Sequence, residues 1–286
     1  MAKHKSMVRQ VQEALQDQLR IGESRHDAKN EENTHSPDGI FSYRTFETYL
    51  KQSCAFAKWA KAEYGSRTLA EARPYVETYL QNGIDRGLSA YTLSTQRAAL
   101  CKLYGCTARH FDVKLPERLR GDIQRSRGSV SRDYGFSKEK NADILAFARA
   151  TGLRRHELAA VKPEQIRGNA DGSVTLCSVT GKGGKVRDID VLPGMEAAVL
   201  KHAGKDPERR IFASVPSHMD VHECRRDYAN ALYRLLARPV AELAQEEKYI
   251  CRNDKRGVTY DRRAMLQVSR QLGHNRISVI AGHYLD

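Results

Sequence analysis

No apolar run in the 286 residues is long enough to cross a bilayer, so no membrane span and no membrane partner are expected. The N-terminal Met1-Ala2-Lys3-His4-Lys5 leads into a polar, charged stretch without an apolar core, which argues against a secretory signal and predicts a cytoplasmic protein. Cysteine is short of pattern: the six, at 54, 101, 106, 177, 224 and 251, form no C-x-x-C pair and no regular spacing. They read as reduced thiols rather than a disulfide frame or a zinc site, and neither metal nor cofactor is expected. Acidic residues are outnumbered, 35 against 48 Lys and Arg, which leaves a net charge of +13. The basic residues are spread along the whole chain. A folded surface of that sign attracts polyanions over long range, so nucleic acid is the leading partner.

What is present suggests two domains rather than one, within a length that can bury a substantial core. Residues 1–36 read as a flexible or weakly docked N-terminal arm. Met7, Val8, Val11, Leu15 and Leu19 are roughly in helical phase over 5–20, but Gly22 to Pro37 is polar and turn-rich. Residues 37–117 read as a helical domain of about four helices with no strand. In it Phe46, Tyr49, Leu50, Ser53, Phe56, Ala57 and Ala60 recur at helical spacing, followed by helices over Glu71–Asn82 and Thr92–Leu103. Residues 118–134 interleave Arg, Ser and Gly as a basic linker, either a strap across a phosphate backbone or a solvated connector.

Residues 135–286 mix the two kinds of element. Ser137 is expected to cap a helix that runs to Ala150 and stops at Gly152. Val174–Val179 and Val186–Val191 read as strands joined by a Gly-Lys-Gly-Gly-Lys turn. Helices are expected over Met195–His202, Asp220–Leu236, Val240–Lys248 and Arg262–Leu272. The fold class is therefore mainly α with a small β-sheet, the second half being α+β.

Several short segments place cationic side chains where an anion fits. In Thr151-Gly152-Leu153-Arg154-Arg155-His156-Glu157-Leu158 one helix stops and another begins at once, so Arg154 and backbone N–H groups can face the same anion, with Glu157 one turn on to fix the region by hydrogen bonds. Lys182, in Gly181-Lys182-Gly183-Gly184-Lys185-Val186-Arg187, sits on a turn that holds it out from the sheet. His222 and Arg225 stand at i and i+3 near the start of a helix. His274 follows the helix stop Leu272-Gly273, and Tyr284 lies one short helix further on. Each segment alone is better explained by a surface arginine, a basic hairpin, a helix cap or a terminal tyrosine; their order carries the signal.

In that order the motifs T-G-L-R-R-H-E-L, G-K-G-G-K-V-R, H-E-C-R-R-D-Y-A and L-G-H-N-R-I, with the terminal tyrosine, resemble the tyrosine recombinase family, the phage-type integrases of the Xer, Cre and lambda-integrase kind. The span Tyr43–Tyr104 looks like that family's helical core-binding domain, and 135–286 like its catalytic domain. The resemblance implies that Arg154 and Arg225 clamp the scissile phosphate and that Lys182 gives a proton to the departing 5′-oxygen. It further implies that His222 assists removal of the tyrosine proton, that His274 adds a hydrogen bond to the phosphate, and that Tyr284 attacks to form a 3′-phosphotyrosyl link. Arg44, Lys51, Arg97, Lys102, Arg125, Arg127, Lys185 and Arg276 are expected to touch DNA. An insertion around 239–260 offers Arg252, Lys255 and Arg256 to DNA or a partner. The implied partner is a double-stranded recombination site, bound by a homo-tetramer whose free form is a monomer or weak oligomer. The implied activity is site-specific recombination for a mobile element; the alternatives are a type IB topoisomerase-like enzyme and a non-catalytic DNA-binding accessory protein derived from a recombinase.

Overall fold

The computed structural model describes residues 5–34, 36–119, 136–181, 184–204, 206, 209–252, 255–274 and 276–285. Lys182 lies outside them, as do Arg125, Arg127 and almost all of the linker expected at 118–134. The chain divides into two units, Met1–Asp122 and Ile123–Asp286, each with its own buried core.

The first unit is helical. Ser6 caps α1 (Met7–Gln16), accepting the Arg9 N–H, and Met7, Val11 and Leu15 recur every four residues to form one buried face. That face packs on α3 (Tyr43–Tyr64). The loose arm expected over 1–36 is thereby corrected. Three buried apolar side chains, each contributing about 1.5–3 kcal/mol, hold α1 as an integral helix. The stretch read as turn-rich likewise contains α2 (Arg25–Glu31), capped by Ser24.

Beyond α3 come α4 (Leu69–Ala72), α5 (Val76–Asp85) and α6 (Ala90–Leu103). The single helix expected over Glu71–Asn82 is split by a 3-10 turn at Arg73–Tyr75, because Pro74 has no N–H to give the helical ladder. Phe56, Leu80 and Leu100 are fully buried at the centre of this core. β pairing here, among the described residues, is one isolated bridge between Leu19 and Ile40.

The second unit wraps helices and two small antiparallel sheets around a larger core. α7 (Ala142–Thr151) begins four residues later than expected, since Ser137 closes a local turn by accepting the Lys140 N–H. It ends at Gly152 with φ +60°, where a Cβ would meet the Tyr228 ring at 2.6 Å, so glycine is required on two counts. α8 (Arg155–Leu158) starts three residues on.

β1 (Ile166–Gly168), β2 (Val174–Thr180) and β3 (Val186–Asp190) form a sheet in that order. The β2–β3 register shifts between Leu176 and Val179, with Ser178 at φ +54°, a bulge that Gln165 covers by donating to the carbonyls of Cys177 and Ser178. α9 (Glu196–Leu200) and the long α10 (Val221–Leu236) follow. Arg155 pins the loop before α10 by donating to the carbonyls of Pro216 and Met219.

The helix expected over Val240–Lys248 is absent. Short 3-10 turns at Val240–Glu242 and Gln245–Glu247 lead instead into β4 (Lys248–Ile250), paired with β5 (Thr259–Asp261). Only Leu243 of the would-be apolar stripe is buried while Val240 is exposed, so a helix had little to bury; Tyr249 and Ile250 pair across to Tyr260 and Thr259. α11 (Arg262–Gln271), capped by Asp261, and α12 (Ile277–His283) complete the unit. No helix among the described residues is long and apolar enough to cross a membrane.

Candidate active site

The site is built where α10, the α11–α12 turn and the two segments after α7 and β2 converge. Arg225, on the second turn of α10, is 1 % exposed, an unusual position for a guanidinium unless its donors are satisfied. They are. Nη1 donates to the Gly152 carbonyl at 2.5 Å, Nη2 to the Leu272 carbonyl, and Nε to the Tyr284 hydroxyl at 3.1 Å. Both carbonyls belong to helix ends, where acceptors lack intrahelical partners.

Burial pulls the Arg225 pKa down from its ordinary value and Arg154 adds to the pull, while Tyr284 and Glu157 oppose it. Tyr284, 7 % exposed, lies at the C-terminal end of α12, and its Oη is also 3.2 Å from His274 Nε2. Asn230, further along α10, donates to the Tyr284 carbonyl at 2.8 Å.

His274 is placed by its backbone. Gly273 at φ +64° reverses the chain after α11, the His274 N–H donates to the Ser269 carbonyl, and the Ser269 hydroxyl donates to the His274 carbonyl. Burial lowers the His274 pKa to about 4, with Arg225, Arg154, Arg187 and His283 acting in the same direction. The imidazole is neutral at pH 7.

A direct check is an NMR titration of the free protein, in which His274 is expected to titrate near pH 4; a value near 6.5 would show that neither burial nor the surrounding cations act on the ring. The linked effect on stability has a definite sign. The unfolded chain takes up this proton more readily, so folding is fully favoured above pH 6.5 and loses that contribution as pH falls towards 4.

Arg154 sits just before α8 in extended conformation, its side chain 21 % exposed. Glu157, whose side chain is fully buried, accepts the Arg154 N–H at 2.8 Å and Nη1 at 3.0 Å, as well as both Nη groups of Arg187 at 2.9 and 3.0 Å. Burial by itself would raise the Glu157 pKa, yet Arg187 and Arg154 together drive it down to about 2. Arg187 Nε donates to the Gln271 carbonyl at 2.8 Å.

Two glycines make room for this pair. A Cβ on Gly181 would lie 2.9 Å from Arg187 Nη1, and one on Gly273 would lie 3.2 Å from the same side chain. Arg187 therefore ties the β2–β3 turn, the Arg154 segment and the His274 turn together. Arg187 closes the G-K-G-G-K-V-R motif, which by itself does not reveal this role. The available signal was period two: Arg187, Ile189 and Val191 share one strand face, and Ile189 and Val191 are buried.

Of the residues expected to carry chemistry, the structure joins Arg225, His274 and Tyr284 by hydrogen bonds and sets the Arg154–Glu157 pair near enough to act on Arg225 and His274 electrostatically. His222, expected beside the tyrosine, is exposed on the first turn of α10 without a hydrogen bond to the group; His274 occupies that place. Lys185 and Arg276 are exposed on the β2–β3 turn and at the start of α12.

In the first unit Arg44 and Lys51 are exposed seven residues apart on α3, Arg44 within 3.4 Å of Glu47, and Arg97 is half-buried on α6. Lys102 is different. Its ammonium donates to the Pro37 carbonyl at 2.7 Å with the side chain 16 % exposed, which makes it an internal tether rather than a groove-facing cation. Among the described residues no group of three His, Cys, Asp or Glu could hold a metal ion.

No protein-family model matches the chain, and no curated protein matches it. Among solved structures it is similar to the Tn1549 transposon integrase in complex with a circular intermediate DNA, at 12 % identity over 98 % of this chain and 95 % of that one, TM-score 0.48. The same integrase in complex with transposon right end DNA is similar at 10 % identity over 98 % and 95 %, TM-score 0.45. XerA recombinase is similar at 13 % identity over 97 % and 93 %, TM-score 0.33. These neighbours are tyrosine recombinases.

Proposed function

We propose that this chain is a site-specific tyrosine recombinase of a mobile element, cutting and rejoining duplex DNA through a covalent link to Tyr284. The observation that carries the reading is the Tyr284 hydroxyl held between the Arg225 guanidinium and the neutral His274 imidazole of the same protomer. A phenol of pKa about 10 is a poor nucleophile until a base takes its proton and fixed cations oppose the resulting anion.

In this reading His274 Nε2, 3.2 Å from the Tyr284 hydroxyl, takes that proton, and Arg225 and Arg154 supply the positive charge. Tyr284 Oη attacks phosphorus, the bond to the 5′-oxygen breaks, and that oxygen leaves with a proton that we assign to Lys182. The 3′-phosphotyrosyl bond conserves the energy of the phosphodiester, so the reverse attack by a 5′-hydroxyl rejoins strands without ATP. Guanidiniums perform the charge neutralisation, and preorganised donors of this kind are worth more in a dry site than in water. The net charge of +13 supports a duplex DNA substrate, and a homo-tetramer on DNA is the assembly proposed.

The test uses nicked duplexes tiled across the DNA that flanks the protein's own gene, the nick trapping any cleaved product. A protease-sensitive covalent protein–DNA band is expected, and Tyr284→Phe should abolish it. An adduct that persists in Tyr284→Phe would sink the assignment. Tight binding with no adduct would identify an accessory DNA-binding protein, and relaxation of arbitrary supercoiled plasmid would identify a topoisomerase.

A further inference from the structure

The residues between α10 and α11 take no part in the chemistry above, yet one of their side chains reaches the nucleophile's segment. Lys255 Nζ donates to the Leu285 carbonyl at 2.6 Å and to the Tyr260 hydroxyl at 3.0 Å. Tyr260 is a firm support. Its ring is 7 % exposed and packs edge-on against Tyr233 at 5.5 Å, and the Tyr233 hydroxyl accepts the Asp261 N–H at 2.8 Å. The Asp261 carboxylate, fully buried, accepts from Arg238 Nε and Nη2 while capping α11. The β4–β5 pairing and this network give Lys255 a fixed base.

The other end of the contact matters because α12 is only seven residues long. So short a helix has little stability of its own, and its last carbonyls have no intrahelical acceptor role to play. Two successive carbonyls just past it are held from outside, Tyr284 by Asn230 and Leu285 by Lys255. A charge-assisted bond of this kind is stronger than a neutral one. We infer that Lys255 is a positioning residue that, together with Asn230, anchors the nucleophile segment within its own protomer and so aims Tyr284 Oη at Arg225 and His274. The inference rests on Tyr284 being the nucleophile. It also replaces the expectation that Lys255 contacts DNA or a partner, because the ammonium is aimed at its own chain.

Two measurements on the full chain test it. In hydrogen–deuterium exchange without DNA, Lys255→Met is expected to speed exchange of the α12 amides about ten-fold, with Lys255→Arg close to the parent protein. Unchanged α12 exchange in Lys255→Met would overturn the inference. Tyr260→Phe, which removes only the hydroxyl that Lys255 leans on, should move α12 exchange in the same direction by less, and it decides the matter if Lys255→Met does not fold.

In single-turnover reactions on the nicked duplexes, Lys255→Met should slow adduct formation about ten-fold at saturating DNA without altering the dissociation constant. The reverse pattern, weaker DNA binding with an unchanged saturated rate, would make Lys255 a phosphate contact and overturn the inference. If the parent protein forms no adduct at all, the strand-cutting reading fails, and the exchange experiment still decides whether Lys255 anchors the segment.

Discussion

Replacing Arg225 by alanine is expected to cost about 3–5 kcal/mol of folding stability and to eliminate covalent adduct formation. The reason is the geometry of one fully buried side chain. Its guanidinium satisfies the carbonyls of Gly152 and Leu272, each at a helix end, together with the Tyr284 hydroxyl. Truncation leaves those acceptors buried without donors and opens a cavity at the junction of α7, α10 and α11, and each orphaned acceptor alone costs about 1–3 kcal/mol.

Arg225→Met separates the two effects, because it restores most of the volume but none of the donors. Urea denaturation should rank parent above Met above Ala. A loss below about 1 kcal/mol for alanine would mean that the carbonyls find other donors and that the buried guanidinium is not what joins the helix ends.

Glu157→Gln should be nearly as damaging, at about 3 kcal/mol near neutral pH. The carboxylate accepts from the Arg154 N–H, from Arg154 Nη1 and from both Nη groups of Arg187, whereas an amide offers one oxygen and turns an NH₂ toward guanidinium donors. The pH dependence carries a sign. The Glu157 pKa is held near 2 in the fold against 4.5 ordinarily, so its contribution is complete above pH 4.5 and is lost as pH falls towards 2.

The stability gap between parent and Glu157→Gln should therefore narrow as pH is lowered from 6 to 3. A gap that stays constant over that range would show that the carboxylate's charge is not what the two arginines stabilise. Because Arg187 also packs beneath Gly181 and Gly273, this variant should slow adduct formation too, by loosening the Arg154 segment and the His274 turn together.

The residues that the fold brings together were picked out by the order of their motifs, through the resemblance, and those motifs are also punctuated locally. Gly152 and Gly273 both adopt positive φ at helix stops, and Arg154 and His274 follow them within two residues, so the glycine pattern marks where these two side chains emerge from helix ends. The strand pair over 174–191 was legible from alternation and its glycine turn, and α10 from its apolar phase. The exchange of His222 for His274 beside the tyrosine was not. The i, i+3 spacing of His222 and Arg225 says that they share a side of α10, but it does not say that one is exposed and the other enclosed. The missing helix over Val240–Lys248 has the same origin, since only the partner strand at Thr259–Asp261 makes β4 preferable.

Composition and periodicity by themselves determined that this protein attracts polyanions, that its first unit is helical and its second mixed, and where Arg154, Arg225, His274 and Tyr284 stand along their elements. Those properties depend on net charge and on neighbours a few residues away, which a linear pattern records. Only the tertiary structure decided that Arg225 is buried against groups 59 and 73 residues distant, that Arg187 joins three segments, and that the Lys255 ammonium meets the Leu285 carbonyl. Such contacts form when desolvated donors and acceptors find one another across the folded core, and the spacing of residues along a chain carries no record of which ones will.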